Sequence, residues 1–155
     1  MSAISRIWQT VVSEFSDIAD LEEATVVVLR LLLAVMLGAA IGYERERRGK
    51  DAGLRTHTLV ALGATVFVLV PATSGMDTAD ASRVMQGVVS GIGFLGAGAI
   101  LKQERGQEVK GLTTAASIWV AAAVGVSIGY GREATAVATT LAALFVLAVV
   151  SRFEK

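Results

Sequence analysis

Gln86–Leu101 reads QGVVSGIGFLGAGAIL, and no residue from Val84 to Leu101 is charged. Gly87, Gly91, Gly93, Gly96 and Gly98 all fall within it. In water this would be a poor helix, because each interior glycine costs about 1 kcal/mol relative to alanine. In lipid an unpaired backbone group is costly enough to enforce the helix, and glycine then lets a second helix come close. Gly87 and Gly91 are four apart, as are Gly93 and Ala97, and Ser90 lies three before Gly93. Small residues therefore cover much of the circumference. The spacing predicts a membrane helix packed on several sides, with the other helices arranged around it. The same residues contain Gly91-x-Gly93-x-x-Gly96, which superficially matches a dinucleotide fingerprint. That fingerprint needs a strand before it, a helix opening at it and an acidic residue about 20 positions on. Apolar sequence runs straight through the glycines instead, so close helix packing is the preferred reading.

Working outward, the 155-residue chain is 54% hydrophobic and 18% charged, with a mean hydropathy of +0.62. Soluble domains are usually about 45–50% apolar and about 25% charged. The apolar residues fall into five runs of nearly spanning length, which predicts an all-α, polytopic membrane protein with five transmembrane helices. There is no cysteine, which removes disulfides and thiolate metal sites. The N-terminus lacks the basic region, apolar core and small-residue cleavage site of a removable signal peptide.

Residues 1–23 form an N-terminal segment in which Ile4, Ile7, Trp8, Val11, Val12 and Phe15 recur at helical spacing. It reads as a short interfacial helix with Trp8 at headgroup depth, or as a frayed terminus. A five-helix membrane domain is expected over 24–151, followed by a short cytoplasmic tail at 152–155. The spans are placed at about 24–43, 56–73, 83–101, 112–129 and 132–150. Gly38-x-x-x-Gly42 and Gly125-x-x-x-Gly129 offer further packing faces. Arg30 lies inside the first span, either as an interfacial anchor or partner of an N-terminal acid, or as a charge lining a polar cavity. If the first helix continues past the membrane, Glu44–Arg48 and Glu46–Lys50 are i,i+4 pairs.

Orientation follows from Lys and Arg. The links after spans one, three and five hold five, three and two of them, and the other side of the membrane holds Arg6, Arg83 and Arg132. Basic residues stay cytoplasmic. The N-terminus is therefore expected outside and the C-terminus inside.

Catalytic constellations are hard to find: there is a single histidine, His57, and no acid in the middle of any span. No cofactor, metal site or nucleic-acid partner is expected. Mg²⁺ usually takes one or two carboxylates and gives up water reluctantly, so a path through these helices would rest on carbonyls, hydroxyls and Gln86. Polar groups do gather at the first inner link, where Glu44, Arg45, Arg48, Arg55 and Thr56 lie, with Thr113 at the same level. Gln86 lies at a depth where Arg30 could approach it. The basic cluster fits attraction to anionic headgroups, or a docking surface or anion site built of guanidinium groups.

Three segments carry a resemblance. They are RLLLAVMLGAAIGYERERRGKDAGLRTHTLVALGAT (30–65), MQGVVSGIGFLGAGAIL (85–101) and VKGLTTAASIWVAAAVG (109–125). In their order and spacing the chain resembles the MgtC/SapB family of bacterial inner-membrane proteins, over about 29–150. The resemblance implies five spans and a link to growth at low magnesium, stress adaptation and survival inside host cells. One branch of that family is associated with inhibition of the F-type ATP synthase. By position it points to Glu44, Arg45, Gly53, Leu54, Arg55, Thr56, Gln86, Gly91, Gly93, Phe94, Gly96, Gly98, Gly111, Leu112 and Thr113. Virulence members carry a soluble domain after the last span. This chain, ending at Lys155, is expected to be a short SapB-like member or a truncated one.

The leading expectation is a non-enzymatic regulator in the inner membrane. It would bind a membrane partner such as the F-type ATP synthase through its glycine faces and basic link, with a homodimer as a further expectation. The alternative is a transporter or channel for Mg²⁺ or another small ion or solute. A structural or lipid-binding scaffold is a third, weaker possibility.

Overall fold

The computed structural model describes residues 2–16, 18, 20–102 and 109–149. In chain order it contains α1 (Ala3–Glu14), α2 (Leu21–Arg47), α3 (Leu54–Thr73), α4 (Thr78–Gly98), β1 (Leu101–Lys102), β2 (Val109–Lys110), α5 (Leu112–Gly129) and α6 (Glu133–Val149). The five expected spans coincide with α2 to α6 to within a few residues. Arg105, Arg152 and Lys155, which entered the charge count, lie outside the described residues, as does the expected tail at 152–155.

Local chemistry explains the helix starts. Ser2, Asp20 and Asp77 sit at the N-caps of α1, α2 and α4, each accepting from the backbone N–H three residues on. Gly53, before α3, has no side chain to do this. Glu46 Oε2, from the end of α2, accepts from the Leu54 N–H at 2.8 Å instead. Its negative charge also suits the positive end of the α3 dipole. This replaces the expected Glu46–Lys50 pair, because α2 ends at Arg47 and Gly49, at φ 65°, turns the chain away before Lys50. The expected Glu44–Arg48 ion pair does form.

The fold is all-helical as expected, and the link from α4 to α5 adds only a short ladder. Leu101 pairs with Lys110 and Lys102 with Val109 in a two-residue antiparallel ladder. Gly111 follows at φ 96°, and a Cβ there would run into the Ala99 carbonyl. Only glycine meets both demands.

The helix placed at the centre by its neighbours is α5, which packs against α2, α3, α4 and α6. Half of its most apolar window is buried. Thr114, Ser117, Ala121, Gly125 and Gly129 are small and buried, with Ile118, Val124 and Ile128 filling the space between them. Against this face α3 sets His57, Ala61, Ala64, Thr65 and Val68. The third face comes from Ala34, Gly38, Ile41, Gly42 and Arg45 of α2. The expectation that the helix at 83–101 organises the bundle is therefore corrected. Among the described residues of α4 only Ala81 is buried. It rests on α3 and α5 from one side, with most of its glycines turned outward.

Three helices are long and apolar enough to cross a membrane: α2, α3 and α5, at mean hydropathies of 2.4, 1.6 and 1.6. α6 is apolar and shorter. Five glycines, together with Arg83 and Gln86, hold α4 below the hydropathy of those three. None of the residues of α1 is buried, and Trp8 is 67% exposed.

Candidate functional site

Two regions of the bundle hold the residues singled out above. The first is a polar seam between α2, α3 and α5, at the end where the α2–α3 link lies. Glu44 and Arg45 are consecutive, with Arg45 Nη1 3.5 Å from Glu44 Oε2. Arg45 is only 2% exposed, and its Nε and Nη2 have no hydrogen-bond partner. Arg48 shares the Glu44 carboxylate and donates from Nη2 to the Ala148 carbonyl of α6 at 3.0 Å. The seam continues upward to His57, which is fully buried. Its Nδ1 lies 2.9 Å from the Gly53 carbonyl and its Nε2 2.9 Å from Ser117 Oγ. Ser117 Oγ is also 2.8 Å from the Thr114 carbonyl.

Counting protons limits what these groups can do. The Gly53 carbonyl can only accept, so Nδ1 carries a proton. A neutral imidazole then receives the Ser117 hydroxyl proton at Nε2. An imidazolium would donate to Ser117, whose own proton would turn to Thr114. The pair thus has two fully bonded arrangements, one for each charge state of the ring. Two turns higher, Thr65 Oγ1 donates to the Ala61 carbonyl at 2.9 Å and lies 3.0 Å from the Gly125 carbonyl of α5.

The second region is the outward face of α4. A Cβ added at Gly87, Gly91, Gly93 or Gly98 would meet nothing within 4 Å, and at Gly96 only Ala115 at 3.7 Å. Gly63 of α3 is equally open. Gly63, Gly87 and Gly91 help line a groove of about 610 Å³ between α3 and α4, walled by Leu59, Phe67, Val88 and Leu95. Phe94 projects beside it, 81% exposed.

The remaining residues are placed as follows. Arg30 does not reach Gln86 or an N-terminal acid. Its Nε pairs with Glu133 Oε1 at 3.2 Å and its Nη1 donates to the Gly129 carbonyl at 3.2 Å. Gln86 is exposed on α4, and Arg55 and Thr113 are exposed at the first turns of α3 and α5. Thr56 is half-buried beside His57. Gly38 and Gly42 lie where α2 touches α3: a Cβ would stand 2.9 Å from Ala61 Cβ and 2.7 Å from Leu54 Cα respectively.

Sequence reasoning missed His57 and Ser117 as a pair and Glu133 as the partner of Arg30. A readable sign of the first was the shared four-residue step. His57, Ala61 and Thr65 step along α3 as Ser117, Ala121 and Gly125 step along α5. Among the described residues no group of three His, Asp or Glu could hold a metal ion.

Comparison with known proteins places this architecture. The MgtC family model matches residues 31–155. Protein SrpB of Synechococcus elongatus is 44% identical over 137 residues, covering 81% of this chain and 75% of that protein. Protein MgtC of Salmonella typhimurium is 48% identical over 114 residues, covering 74% of this chain and 48% of its own length. YhiD of Escherichia coli K12, named for a proposed magnesium-transport activity, is 44% identical over 129 residues, covering 79% of this chain and 59% of its own. The chain therefore spans about half the length of Salmonella MgtC. No solved structure matches it.

Proposed function

The chain belongs to the MgtC family, and on that premise we propose a multi-pass protein of the bacterial inner membrane that serves adaptation to magnesium limitation by binding another membrane protein. In this reading α2 to α6 all span the bilayer, with the N-terminus outside and the C-terminus cytoplasmic, as the Lys and Arg asymmetry favours. No reaction is assigned to it.

The observation that supports partner binding is the open glycine face of α4. Glycine costs about 1 kcal/mol per helical position, and the usual return in a membrane is close helix contact. The contacts inside this chain account for Gly38, Gly42, Gly125 and Gly129, but not for Gly63, Gly87, Gly91, Gly93 or Gly98. A helix from another protein seated in the groove between α3 and α4 would account for Gly63, Gly87 and Gly91. The F-type ATP synthase, implied by the family resemblance, is the first partner to test. Co-purification from native membranes with Gly91→Leu and Arg55→Ala checks the reading. At least a tenfold loss of partner with Gly91→Leu is expected, and unchanged partners in both variants would remove it.

A homodimer would use the same face. The chain has no cysteine, so Gly87→Cys gives a clean crosslinking probe. Crosslinked pairs are expected, and a detergent-corrected mass showing only monomer would exclude self-association.

A conduit for Mg²⁺ is the second reading, favoured by the YhiD name and by the polar seam at His57, Ser117 and Thr65. Against it stands Arg45, a buried positive charge at the inner end of that seam, which repels a divalent cation. Flux of Mg²⁺ into liposomes holding the purified protein separates the two readings.

A further inference from the structure

Away from α4, a second cavity runs between α5 and α6, with α2 behind it. It measures about 330 Å³ and is apolar, lined by Ile41, Thr113, Ala116, Val120, Ala142 and Val146 among others. Its walls at Thr113, Ala116, Ala142 and Val146 are exposed, so it opens sideways toward lipid. From Thr113 to Val120 it follows α5 for about 10 Å, roughly two thirds of one hydrocarbon leaflet. Leu147 also lines it.

The next residue, Ala148, lines a different cavity. This cleft, also about 330 Å³, is formed by Glu44, Arg47, Arg48 and Ala148. Along α2, Glu44 follows Ile41 of the groove by three residues, about one turn. The apolar groove and the basic cleft are therefore consecutive along the same two helices. Two guanidinium groups, of Arg47 and Arg48, face one carboxylate, of Glu44, in this cleft. Arg48 is engaged by Glu44 and Ala148, which fixes the cleft's shape. Arg47 is exposed and lines the cleft.

We propose that this face holds one anionic phospholipid, an acyl chain in the groove between α5 and α6 and the phosphate in the cleft of Arg47 and Arg48. Guanidinium groups suit phosphate oxygens through charge-assisted, paired hydrogen bonds, and a basic pocket between helices at the cytoplasmic surface is where such headgroups collect. The adjoining apolar groove selects a lipid over free phosphate. The site lies on α2, α5 and α6 and does not depend on the partner reading for α4.

Native mass spectrometry of the full chain in uncharged detergent, with equimolar phosphatidylglycerol and phosphatidylcholine, tests this. Wild type is expected to retain phosphatidylglycerol at least tenfold over phosphatidylcholine. Arg47→Gln, which leaves the Arg48 contacts in place, should lower that ratio about threefold. Ala142→Phe, which fills the groove from an exposed wall, should lower retention at least fivefold with an unchanged melting temperature. Gly91→Leu should leave both values alone. Equal retention of the two lipids would overturn the proposal. So would phosphatidylglycerol retention unaffected by Ala142→Phe yet displaced by millimolar inorganic phosphate, which would mark a free-phosphate site.

Discussion

The glycines of α2 and α5 and those of α4 look alike in sequence and do opposite things in the bundle. Gly38, Gly42, Gly125 and Gly129 each stand where a methyl group would collide with a neighbouring helix. Gly87, Gly91, Gly93 and Gly98 stand where it would meet nothing. The first set is consumed in holding three helices together. The second set is left facing outward, where it weakens its own helix without any contact in this chain to offset the loss. The difference teaches that a small-residue spacing reports a capacity for close contact, not the identity of the helix that uses it.

The largest effect should come from the closed set. Gly125→Leu drives a branched side chain against the Ala61 carbonyl and Ala64, and should destabilise the bundle by about 3 kcal/mol or more. Unfolding in mixed micelles measures it, and a loss under about 1 kcal/mol would break the distinction between the two sets. Next comes Arg30→Ala, which leaves Glu133 half-buried without its counter-charge. A loss of about 1–3 kcal/mol is expected, with Glu133→Gln in the same background restoring part of it. Ser117→Ala removes one partner of the buried His57 and should cost about 1–2 kcal/mol. The smallest effect belongs to the open set. Gly91→Ala should be neutral or stabilising by up to about 1 kcal/mol, since the added methyl meets no neighbour and favours the helix. A destabilising Gly91→Ala in the isolated chain would mean that α4 packs more tightly than described.

The helices α2 to α6 could be read from the chain because apolar runs and charged links mark them. The hub could not. Gly87 to Gly98 spread small residues around a helix, which reads as contact on every side. α5 carries one row of small residues, Thr114, Ser117, Ala121, Gly125 and Gly129, that is buried together with Ile118, Val124 and Ile128, while its other small residues, such as Thr113 and Ala116, stay exposed. The polar seam escaped for a different reason. His57 and Ser117 are 60 residues apart, and each taken singly is an ordinary residue near the start of an apolar helix. Arg30 was readable as a charge needing company, but its partner sits at the start of α6, beyond any local pattern. Glu44 and Arg48, four apart on one helix, needed no tertiary information at all.

Arginines of α2 reach α6 near both of its ends: Arg30 grips Glu133, and Arg48 grips the Ala148 carbonyl. α2 and α6 are thereby joined at two levels. Among the described residues no side-chain hydrogen bond or ion pair fastens α4 to another helix. What holds α4 to the bundle is therefore its packing on α3 and α5, together with the short ladder that follows it.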